Sequence, residues 1–203
     1  MKFYILASVI IFCFVIHHAI NRSNRISQNA EKEFWAREKK ANETRKKPLD
    51  TLHYITIPFD RLPMNVLTQD ETVQGCINTL RELSECKIVN LTGYTNTDLK
   101  LEYGTANITV LSQYDQSYTL LATTLQKWAD TLWDAGLEDE AVSIMEFALE
   151  TETDISRTYY LLAEHYRKTG ETDKLSRLSE YAENLRSGNR QQILRHLAEL
   201  SDA

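Results

Sequence analysis

The chain has 203 residues, 42% of them hydrophobic and 26% charged, with only six Gly and three Pro. That is enough for one ordinary domain plus appendages, and the scarcity of turn residues argues against an all-β fold. Charge is split: residues 1–47 carry ten Lys/Arg against four Glu, while residues 48–203 carry thirteen against twenty-five Asp/Glu, so the main body repels phosphate and is not a nucleic-acid binder.

The N-terminus opens on an apolar run. From Phe3 to Ile16 the one weakly polar residue is Ser8, and the run Phe3–Ile20 would span about 27 Å as a helix, close to the hydrocarbon core of a bilayer. No small-x-small cleavage site follows it, so residues 1–21 are expected to be an uncleaved transmembrane anchor, with residues 3–20 in the membrane. Only Lys2 precedes the run. Arg22, Arg25, Lys32, Arg37, Lys39 and Lys40 follow it, which places the C-terminal bulk on the cytoplasmic side. Glycosylation sequons at Asn42, Asn90 and Asn107 lean slightly the other way.

Residues 22–47 read as a basic juxtamembrane helix ended by Pro48, with Ile26, Ala30, Phe34 and Ala41 near helical spacing. Its membrane-surface candidates are Arg22, Arg25, Phe34, Trp35, Lys39 and Lys40; a solvated spacer helix is the equal alternative. Residues 48–67 follow as an extended arm, since His53–Ile57 alternates like a strand and Pro58 and Pro63 keep it extended. An isolated strand lacks a partner, so the arm is expected to lie on a helical domain covering 68–203.

Within that domain Asp70 precedes Val73, Ile77, Leu80 and Leu83 at helical spacing. The stretch 90–115 is rich in Asn, Thr and Gly and reads as a long ordered loop with a short helix near 107–112, before one long helix from Ser117 to Ala135. Cys76 and Cys86 would lie about 15 Å apart on one straight helix, so buried free thiols are expected.

The glycine at Gly136 recurs at Gly170. At the same offset Leu125 falls opposite Tyr159, Trp128 opposite Leu162, Ala129 opposite Ala163, Leu132 opposite Tyr166 and Ala148 opposite Ala182. The offset and the residue types together resemble the tetratricopeptide repeat, a helix–turn–helix unit with this same period. The second repeat departs from the family pattern: Leu175 stands where a small residue belongs, Ser179 where an aromatic belongs, and Thr153 replaces the proline between repeats. The resemblance implies an all-α fold with repeats at about 122–155 and 156–189, and an amphipathic capping helix at 190–200. It also implies a groove lined by the first helix of each repeat, at Thr123, Gln126, Asp130, Trp133 and Asp134, then Arg157, Tyr160, Glu164, Arg167 and Lys168. The family's Lys/Asn clamp for C-terminal carboxylates is absent, so Gln126, Asp130, Trp133, Tyr160, Glu164 and Arg167 stand as the candidate surface for another protein or peptide. The alternative is that the rings pack on the loop or the arm. More distantly, the stalk and the arm "TRKKPLDTLHYITIP" resemble uncharacterised membrane-anchored proteins of clostridial gut bacteria, a likeness that carries no activity.

No nucleophile elbow, zincin or phosphate-binding signature occurs, and the His and Cys residues have no metal spacing. His165 reads as a surface side chain. The expectation is a membrane-anchored scaffold or adaptor with no catalytic residues, cofactor or metal. The alternative is a structural or regulatory membrane protein whose arm, residues 48–63, fills its own groove.

Overall fold

The computed structural model describes residues 2–201, apart from the side chains of residues 2, 4–7, 9–11, 26 and 201. The described residues are all-helical: α1 (Lys2–Asn42), α2 (Glu71–Ser84), α3 (Asn96–Tyr103), a 3-10 turn (Thr105–Asn107), α4 (Ile108–Asp134), α5 (Glu138–Glu150), α6 (Ser156–Thr169), α7 (Thr172–Asn184) and α8 (Arg190–Ser201). They form two compact bodies, one of residues 1–48 with 95–108, the other of residues 49–94 with 109–203.

In the first body α3 clasps the end of α1. Lys100 and Thr97 both engage the Glu38 carboxylate, and Arg37 pairs with Asp98. The bonds from Lys100 and then Thr97 hold Glu38 below the usual carboxylate range. Sequence reasoning carries α1 on to Pro48, but it stops at Asn42. The Thr105 hydroxyl donates to the carbonyls of Ala41 (3.1 Å) and Asn42 (3.3 Å), supplying from outside the partners that a further turn would provide. Ala41 is fully buried beneath this contact. Gly104 makes it possible: its φ is +88°, and a Cβ there would sit 2.2 Å from the Arg45 carbonyl oxygen.

The helix α3 lies in the stretch read from sequence as loop. Its start is a capping box in which Thr95 and Asp98 bond each other's backbone N–H. The short helix expected near 107–112 and the long helix expected from Ser117 are one element, α4, beginning at Ile108.

The second body has one core, drawn from α2, α4–α8 and the arm. Asp70 caps α2 as its sequence suggests, accepting from the N–H groups of Thr72 (2.8 Å) and Val73 (3.0 Å). Leu52, Ile57 and Leu62 of the arm are buried. The Ile55 N–H donates to the Ile88 carbonyl (2.9 Å), and the Arg61 guanidinium forks onto the Glu150 carboxylate at 2.8 and 2.6 Å. Cys76 is buried, but Cys86 is exposed because α2 ends two residues before it.

One period organises the rest. α5 and α7 start at 138 and 172 and end at 150 and 184, the same offset at both ends. It is also the offset between Gly136 and Gly170, which precede them with φ of +78° and +77°. The next residue, Leu137 or Glu171, donates its N–H back to the carbonyl of Leu132 (2.9 Å) or Tyr166 (2.8 Å), which closes the preceding helix in each repeat. α8 begins one period after α6, so its buried Ile193 and Leu197 repeat the positions of Tyr159 and Ala163. Its outward residues Gln191, Gln192, Arg195 and Glu199 are exposed and polar, which suits the end of a stack. The second repeat is the thinner one. α7 buries two residues, Leu178 and Ala182, where α5 buries seven, because Leu175 and Ser179 do not fill the places of Ala141 and Met145.

Candidate functional site

Thr123, Gln126, Lys127, Asp130 and Asp134 recur at short helical steps, so one face of α4 presents them all. With Thr72, Thr131 and Ile155 they line a groove of about 380 Å³. Two of its lining side chains, Gln126 and Asp130, belong to a cross-helix network with α6. The Gln126 amide donates to Asp130 (2.9 Å) and accepts from the Thr158 hydroxyl (2.5 Å), and Arg157 Nε donates to the same Asp130 oxygen (2.6 Å). The bond to Asp130 raises the Arg157 guanidinium above its ordinary value. Both side chains of that pair remain partly exposed, at 31% for Asp130 and 53% for Arg157. The site offers hydroxyls, an amide and charges of both signs, a surface suited to polar main-chain and side-chain groups of another chain.

The other sequence-derived positions lie elsewhere. Trp133 turns inward, its ring edge-on to His165 with centroids 6.3 Å apart. His165 is buried, not a surface residue: it is 7% exposed, with Nδ1 3.5 Å from the Glu138 carboxylate and Nε2 3.9 Å from that of Asp139. Tyr160 stacks on His196 of α8 at 3.9 Å. Glu164 pairs with Lys168 at 3.0 Å on the surface of α6, and Arg167 is exposed beside them. The two aromatic candidates therefore pack on neighbouring helices, while Gln126 and Asp130 line the groove and are bonded to Thr158 and Arg157. Thr158, Lys127, Thr72 and Ile155 were not singled out from sequence. Thr72 and Ile155 reach the groove only through the packing of distant segments, which no local pattern announces. None of residues 48–63 lines it.

On α1, Arg22, Arg25, Phe34, Trp35, Lys39 and Lys40 are all exposed, and Phe34 and Trp35 meet edge to face at 5.3 Å. A helix rising about 1.5 Å per residue sets Trp35 about 22 Å and Lys40 about 30 Å beyond Ile20, whereas Arg22 and Arg25 follow within about 8 Å. Seven of the eighteen residues expected to cross a membrane, 4–7 and 9–11, have side chains outside the described set. Among the described residues no helix is long and apolar enough to cross a membrane. Among them, too, no group of three or more His, Cys, Asp or Glu residues is placed to hold a metal ion. No family model matches the chain, and neither a curated protein nor a solved structure matches it.

Proposed function

We propose that the chain is a membrane-anchored scaffold or adaptor whose two repeats act as degenerate tetratricopeptide-like units, binding a protein or peptide partner in the groove on α4. One observation carries the reading. Two residues that line the groove, Gln126 and Asp130 of α4, are bonded to Thr158 and Arg157 of α6, which ties the groove to both repeats, and its residues Thr123, Lys127 and Asp134 are exposed. The arm supports it by omission, since its apolar side chains are spent in the core and its Arg61 is tied to Glu150, leaving the groove to an outside partner. The apolar run Phe3–Ile16 and the basic residues after it support anchoring with the helical body in the cytoplasm. Anchoring concentrates the partner near the groove, so a weak contact suffices.

The test uses the full chain in membranes of its source cells, cross-linked and compared with a variant carrying Lys127→Glu and Asp134→Arg. A control carries Glu183→Lys on exposed α7 surface. A partner retained by the parent and the control but lost from the groove variant supports the reading. Identical partners from all three sink it.

A further inference from the structure

We infer that the fold and asparagine-linked glycans at Asn90 and Asn107 are mutually exclusive, so that this chain matures where such glycosylation does not reach its helical body. Both residues stand in acceptor sequons, Asn90-Leu91-Thr92 and Asn107-Ile108-Thr109. Glycosylation replaces one of the two hydrogens on the amide nitrogen with a sugar. In the fold neither nitrogen has a hydrogen to give up. Asn107 Nδ2 donates to the carbonyls of Lys47 and Tyr103, both at 2.7 Å. Asn90 Nδ2 donates to those of Thr151 (3.0 Å) and Glu152 (3.1 Å). Carbonyls only accept, so the contacting atom in each case is the nitrogen, with both hydrogens engaged. The Asn90 oxygen is occupied as well, accepting from the Thr92 N–H at 2.9 Å.

Space gives the same answer. Asn107 is 1% exposed, and a hexose there has no path to solvent without displacing the 3-10 turn from residues 41–47. Asn90 is half-buried against the end of α5, where it satisfies two carbonyls that the helix leaves open. Asn42, also in a sequon, is exposed at the end of α1. Asn90 and Asn107 are therefore structural asparagines followed by chance at the second position by a threonine. This inference is independent of the groove and of any partner.

The experiment sends the full chain, with Phe12→Lys and Val15→Lys so that the apolar run 3–20 does not halt translocation, behind a cleavable signal peptide and with an acceptor sequon appended after Ala203, through the secretory pathway of a eukaryotic host. Glycan on the appended sequon reports that the enzyme reached the chain. Folded, protease-resistant material is separated, and site occupancy is read by peptide mass. The expected result is no occupancy at Asn90 or Asn107 in the folded fraction, with any glycan at those sites confined to unfolded chains. A variant with Thr92→Ala and Thr109→Ala keeps both asparagines. It is expected to match the parent's stability when made in the cytosol, and to give at least the parent's yield of folded secreted protein, several-fold more if glycosylation precedes folding. Folded chains carrying a glycan at Asn107 or Asn90 overturn the inference, as does native protein from its source with a sugar on either residue.

Discussion

Gly136 and Gly170 share one left-handed backbone conformation, φ +78° and +77°, at the same place in two successive repeats. Nothing lies within 4 Å of the Cβ that either would carry as alanine. The cost of Gly136→Ala or Gly170→Ala is then conformational only, about 1–2 kcal/mol each. Denaturant melts of the single and double variants should show nearly additive losses, since the two turns share no partner. A negligible loss at either position would mean that the turn does not hold this conformation.

Gly104→Ala is a different case. There the added carbon would meet the Arg45 carbonyl oxygen at 2.2 Å as well as adopting φ +88°. The expected loss is about 3 kcal/mol, combining backbone strain with overpacking. It should appear as fast hydrogen exchange and proteolysis in 95–108 while the two repeats keep their protection.

Glu152 has φ +58° just after α5, at the position where helices favour glycine. Glu152→Gly should stabilise the second body by about 0.5–1 kcal/mol, because the Asn90 bond goes to its backbone carbonyl and survives the change. A melting temperature that falls would show that the Glu152 side chain matters more than its backbone.

Asp115 accepts the Leu91 N–H at 3.3 Å, and burial raises its carboxyl above the ordinary range against that bond's opposing effect. An acid whose folded pKa is raised binds its proton more tightly folded than unfolded. Its contribution is therefore most favourable at low pH and is lost as pH climbs through the folded pKa. Asp115→Asn keeps the acceptor oxygen and removes the charge. Relative to the parent it should melt higher at pH 7, with the gain shrinking towards pH 3. A gain that is constant across that range would refute the assignment.

Asp130, which lines the groove, joins the two repeats through Arg157 at 2.6 Å with 31% and 53% exposure. A double-mutant cycle with Asp130→Ala and Arg157→Ala should give a coupling of about 0.5–1 kcal/mol that weakens in high salt. Partner binding should suffer more than stability does.

The repeat period was legible because it is written in residue types whose physics is local: glycine for a left-handed turn, alanine where helices touch, acids at Glu138, Asp139 and Glu140 for the start of α5. The cap at Asp70 was legible for the same reason. The helix α3 was not, although Thr95 and Asp98 spell its capping box, because a short stretch rich in Asn and Thr looks like loop until Glu38 and Arg37 of a distant helix hold it. The groove positions on α4 came with the repeat resemblance, but whether Trp133 and Tyr160 faced outward depended on His165 and His196, and a single helix says nothing of what its neighbours will cover.

α1 runs without interruption from Lys2 to Asn42, and α3 grips its last turns at Arg37, Glu38 and Ala41. Such a shaft transmits torque. An α-helix advances about 100° per residue. One residue inserted near Gln28 would therefore turn the gripped end by about 100° against the first turns and lift it by about 1.5 Å, whereas inserting seven would bring the angle back to within about 20°. Whatever fixes the azimuth of the first turns also fixes the direction in which α3 faces.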